Sequence, residues 1–120
     1  MNTNLTKAID SFMVVSESRK MRTVSIREII HLESKGIYTI IYLLNKQQIV
    51  CSRNLKKVLN DMDSGMFIRV HKSHAVNLYE IKIYEKGRGG CLVMSDGSSV
   101  PVAQRQKASF MKAFLSKGSH

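Results

Sequence analysis

Arg69, His71, Lys72, Ser73 and His74 fall inside the run Phe67–Asn77, between two apolar, strand-like stretches. Two imidazoles three apart could ligate a metal or work as an acid and base. The run supplies no acidic or cysteine ligand to complete a coordination shell, so a metal site is not expected. Ser73 beside His74 has the residue types of a nucleophile and its base, but no elbow glycines surround it and no triad order can be traced. Gly87 to Gly90 lacks the spacing and the following Lys-Ser or Lys-Thr of a phosphate-binding loop. What remains is recognition without catalysis or cofactor: cations, imidazoles and a hydroxyl set out to touch an anion. Arg69 either positions a phosphate or pairs with Glu80, and His71 and His74 are packed turn residues or phosphate donors.

The charge points the same way. Nineteen Lys and Arg oppose nine Asp and Glu, for a formal net charge of +10. The excess is spread over both halves, which favours a folded domain with a positive field over a neutral domain with a basic arm. The plainer reading is a solvated surface with a high isoelectric point. A chain of 120 residues suits one domain with a modest core. Cys51 and Cys91 are far apart, each within an apolar run, and read as small buried hydrophobes. No signal-peptide h-region and no apolar run of membrane-spanning length is present, so a cytoplasmic location is expected.

The elements that must position these residues are mostly strands. Phe12 to Val15 and Met21 to Ser25 flank a polar connection of hairpin length; Ile29 to Leu32 forms a third strand. Tyr38 to Leu44, rich in β-branched and aromatic residues, predicts a central strand, and Asn45 to Gln48 turns the chain into Ile49 to Cys51. Leu55, Val58, Leu59 and Met62 recur at helical spacing, with Ser52 placed to cap the first turn and Gly65 to end the helix in a left-handed conformation. Strands resume at Phe67 to Val70, Ile81 to Tyr84 and Cys91 to Met94. Asp96-Gly97 marks a tight turn before Val100, and Pro101 discourages a central strand. Phe110, Met111, Phe114 and Leu115 predict a terminal helix over about residues 103 to 116, its aromatic stripe serving as core or lid. Residues 1–11 read as a linker or frayed start, 12–116 as the domain, and 117–120 as a flexible tail.

Arg69-x-His71-x-Ser73, leading through a short turn to an apolar pair and Asn77, resembles the central signature of the LytTR family of bacterial DNA-binding domains. Ile30 to Thr39, Asn54 to Leu59, and Asp96-Gly97 with Val100-Pro101-Val102 and Arg105 resemble it too, so the likeness spans roughly residues 12 to 115. It implies a mainly β, elongated, multi-stranded fold with one short internal helix and a C-terminal helix. It also implies a transcription regulator that reads the major grooves of double-stranded DNA through loops, commonly as copies side by side on promoter direct repeats. Family members usually carry the domain behind a receiver domain of a two-component system; this chain reads as an excised effector domain or a freestanding regulator.

Residue by residue, the resemblance places Lys72 and Arg105 at base edges. Lys35 becomes a phosphate contact, with Arg69, His71, Ser73 and His74 also toward the DNA backbone. Ile37 stands where members often carry a polar residue, and is either core or an apolar group touching a base methyl. Ahead of Arg105, Ala103 and Gln104 replace a common Ser. Asn77 reads as a local turn-former. Two helices separated by about forty residues of strands and turns exclude a helix-turn-helix. The alternatives are a single-stranded RNA or DNA binder, if Tyr38, Tyr42 or Phe67 were exposed for stacking rather than buried as their apolar runs suggest, and a protein-interaction or sensory module.

Overall fold

The computed structural model describes residues 11–62, 64–87 and 89–117. Of the expected linker at 1–11 and tail at 117–120, residues 1–10 and 118–120 lie outside them, while Lys117 is helical. Three antiparallel sheets account for most of the chain. β1 (Phe12–Ser16) and β2 (Met21–Ser25) form a hairpin. A five-stranded sheet takes β3 (Ile29–Lys35), β4 (Tyr38–Leu43), β5 (Gln48–Cys51), β6 (Phe67–His71) and β7 (His74–Asn77) in the order β5-β4-β3-β7-β6. A three-stranded sheet takes β8 (Ile81–Glu85), β9 (Cys91–Met94) and β10 (Ser99–Pro101) in the order β10-β9-β8. Helix α1 spans Leu55–Met62 and α2 spans Lys107–Lys117, and 3-10 turns lie at Ile26–Glu28, Leu78–Glu80 and Gln104–Gln106. The molecule measures 42 × 41 × 24 Å.

The central sheet is covered on both faces. Leu32, Ile41 and Ala75 look toward β1–β2 and α1, joining Val15, Val24, Leu55 and Val58 in one core. Val76 and Ile30 look the other way, into a second core with Leu92, Met94, Val100 and Phe110. Side chains alternate across a strand, so a strand buried on both faces loses the polar alternation of a surface strand. β3 shows this: Ile29, Ile30, His31 and Leu32 are all buried.

Several local expectations are corrected. Ser52 does not cap α1; its hydroxyl donates to the Ser16 carbonyl at 3.1 Å. Asn54 is the cap, its Oδ1 accepting from the Lys57 N–H at 2.9 Å and its carbonyl from Val58 at 3.0 Å. Gly65 is not left-handed; Ser64 shapes the exit instead, its Oγ accepting from the Met66 N–H at 3.2 Å. His74–Asn77, read only as an apolar pair and an Asn, is a strand in the middle of the sheet. Leu115 is exposed, because Phe110 and Phe114 already fill the inner face of α2. Cys51 is buried but Cys91 only half so. Pro101 sits in β10, an edge strand, where a missing N–H does no harm. Asn77 does more than shape a turn: Oδ1 accepts from Tyr79 N–H and Nδ2 donates to the Ile29 carbonyl, both at 3.0 Å, across the buried interior.

Candidate nucleic-acid interface

Three turns meet at one end of the central sheet. β3 and β4 are joined through Gly36-Ile37 between the paired residues Lys35 and Tyr38, with Gly36 at φ 63°, a conformation natural to glycine in a tight hairpin. β6 and β7 are joined through Lys72-Ser73 between the paired His71 and His74. The Ser34 N–H donates to the Ser73 carbonyl at 2.8 Å, so the two turns abut. On the far side, the Ala103 N–H donates to the Val70 carbonyl at 2.8 Å and seats Gln104–Gln106, which carries Arg105, against the end of β6. Lys35, Lys72 and Arg105, spread over 70 positions of the chain, are thus brought to adjacent turns on one rim, and all three are exposed.

The Lys72 turn is held by its own neighbours. Arg69 Nε donates to the His71 carbonyl at 3.3 Å and Nη2 donates to the Lys72 carbonyl. Glu80 is not the partner of this guanidinium and accepts instead from Ser95 Oγ at 2.6 Å. His71 Nδ1 accepts from the Ser73 N–H at 3.0 Å, which puts any ring proton of the neutral form on Nε2 as a donor. His71 and His74 meet edge to face, ring centres 5.3 Å apart. Among the described residues no group of three or more His, Cys, Asp or Glu could hold a metal.

At the β3–β4 turn, Ile37 is 71% exposed, which removes the core alternative and leaves an apolar tip. Tyr38, expected to be buried, is 46% exposed; Thr39 and Ile41 take the core positions of β4, so alternation turns Tyr38 outward. Tyr42 and Phe67 are half-buried, Tyr42 stacked on His31 at 4.1 Å and Phe67 packed against the first core. Of these three rings only Tyr38 is exposed, and one ring is not a stacking platform for successive bases.

Behind the rim runs a polar seam. Tyr42 donates its hydroxyl to Glu33 Oε1 at 2.7 Å, and Lys35 Nζ lies 3.7 Å from Glu33 Oε2. Burial and the bond to Glu33 push the Tyr42 hydroxyl up to about 12. Burial alone would raise the Glu33 carboxyl, but the Tyr42 bond and the Lys35 charge outweigh it and hold it low. His31, 5% exposed, is lowered to about 4 by burial against the opposing pull of Asp96, and its Nε2 lies 3.3 Å from Ser98 Oγ. His74 is also lowered, first by burial and then by the charges of His71 and Lys35, while Glu33 opposes the shift. Both of these rings are therefore neutral near pH 7.

Residues 19–115 match the family model described as the LytTr DNA-binding domain. Among solved structures, the LytTr DNA-binding domain of a Bacillus cereus protein described as a methyl-accepting/DNA response regulator has the same fold. The TM-score is 0.73 at 24% identity, covering 87% of this chain and 96% of that one. No curated protein matches the chain. Among the described residues, no helix is long and apolar enough to cross a membrane.

Proposed function

We propose, from the premise that this chain belongs to the LytTR family of DNA-binding domains, that its row of turns reads double-stranded DNA sequence-specifically and thereby regulates transcription in the cytoplasm. The observation that carries this reading is the Ser34–Ser73 and Ala103–Val70 hydrogen bonds, which align the Lys35, Lys72 and Arg105 turns on one rim. Loops on a rim can enter a major groove, whose floor displays a distinct donor and acceptor pattern for each base pair.

Within this reading, Arg105 offers a rigid fork to guanine O6 and N7, and Lys72 reaches a second base edge with a single, more tolerant ammonium. Ile37 touches a thymine methyl. Lys35, tethered toward Glu33, meets phosphate, as do His71 through Nε2, Ser73 and His74. Arg69 faces the backbone too, but its main work is to shape the turn that presents Lys72. Two copies lie side by side on direct repeats without needing to dimerise in solution, and in a longer parent protein a receiver domain would supply the input.

The test is selection of bound duplexes from a random pool, followed by competition with nonspecific DNA. A recurrent motif that outcompetes nonspecific duplex by about a thousandfold or more supports the reading. Equal retention of every sequence contradicts it.

A further inference from the structure

The row of turns does not stop at the β3–β4 hairpin. Thr39, the residue after Tyr38, donates its hydroxyl to the Arg53 carbonyl at 2.8 Å. One residue earlier, the Ser52 N–H and Oγ both donate to the Ser16 carbonyl, at 2.8 and 3.1 Å. The β1–β2 turn closes immediately beyond, with the Glu17 N–H donating to the Lys20 carbonyl at 2.8 Å. A bonded path therefore leads from the Ile37–Tyr38 tip through Arg53 to Arg19 and Lys20, two exposed cations on a turn at the same end of the sheet.

The acidic groups along this path are already engaged. Arg22 grips Glu17 at 2.9 and 3.3 Å, and Arg53 pairs with Asp61 at 2.9 Å. Arg19 and Lys20 remain, with Lys56 and Lys57 exposed in the first turn of α1, where there is no acidic residue. Lysines there stand against the helix dipole, which favours anions at that end.

We infer that the β1–β2 turn, through Arg19 and Lys20, is an outlying phosphate clamp that grips duplex backbone beyond the base-reading turns. This inference rests on the DNA-reading function proposed above. The clamp adds affinity and extends the footprint in one direction, and it carries no sequence information.

The experiment uses the duplex selected from the random pool, trimmed to its shortest tightly bound form, then lengthened at either end by about half a helical turn of arbitrary sequence. The intact chain should gain several-fold in affinity when one end is lengthened and nothing from the other. The double variant Arg19→Ala/Lys20→Ala should lose that gain, its salt slope should fall by about one to two, and its base preferences should be unchanged. Arg27→Ala/Lys46→Ala is the control, because these exposed cations flank the Ile29–Leu43 end of the sheet, away from the rim, and remove the same charge. The clamp is overturned if neither extension helps or if both double variants lose equally. Failure of the unaltered chain to select any duplex would instead overturn the function on which the clamp depends, and both would fall together.

Discussion

The guanidinium of Arg69 is bonded to the backbone carbonyl of Lys72, so the strand entering the β6–β7 turn also fixes the residue at its tip. A second bond, to the His71 carbonyl, makes the attachment a fork. Lysine cannot reproduce a planar two-donor fork.

Arg69→Lys and Arg69→Ala should therefore fold but present Lys72 loosely. Each lost bond is worth about 1 kcal/mol, so specific affinity should fall by roughly fivefold to thirtyfold. Amide hydrogen exchange at Lys72 and Ser73 should accelerate in parallel. Normal exchange with weakened binding would mean that Arg69 acts on DNA directly.

Stability should decline on acidification through His31. Its folded pKa is about 4 against 6.5 for the ordinary group, so the folded state prefers the neutral ring. Between those values the unfolded chain binds more protons; stability is fully present above about pH 6.5 and is lost as pH falls toward 4, by ~3 kcal/mol at most. His31→Phe keeps a ring against Tyr42 but cannot titrate. Urea midpoints at several pH values should show a shallower loss over that window in the variant, and an unchanged loss would remove His31 as the cause.

The helices should matter for folding rather than reading. Leu55→Ala and Phe110→Ala empty fully buried sites and should each cost about 2–5 kcal/mol. Leu59 is only half-buried, so Leu59→Ala should cost less than Leu55→Ala. Denaturant titration gives the stabilities, and DNA affinity per folded molecule should be unchanged. A variant that melts normally yet does not bind would assign DNA reading to a helix.

The broad fold was legible because its elements carry strong local patterns. The β-branched run at Tyr38, the helical stripe from Leu55 to Met62 and the Asp96-Gly97 turn each appear where periodicity and turn chemistry put them. Competing partners were not legible. Ser52 and Asn54 are both good caps by type, and the choice was made by the distant Ser16 carbonyl, which takes the Ser52 hydroxyl. Tyr38 has the composition of a core residue, and only its alternation with Thr39 and Ile41 turns it outward. At the interface, the cations were visible as residues, and the family resemblance grouped them. Their adjacency depends on backbone bonds between Ser34 and Ser73 and between Ala103 and Val70, which no single sequence displays.

Loop-based reading of bases is tested most directly by measuring affinity across a complete set of single-base operator variants for the unaltered chain and for Arg105→Ala, Lys72→Ala and Lys35→Ala. Arg105→Ala should flatten preference at one position, where the intact protein discriminates by about 1–3 kcal/mol, and Lys72→Ala should do so at another. Lys35→Ala should weaken every duplex alike. If Arg105→Ala and Lys72→Ala leave the pattern of preferences intact and merely scale it down, both residues are phosphate contacts and the rim does not read bases through them.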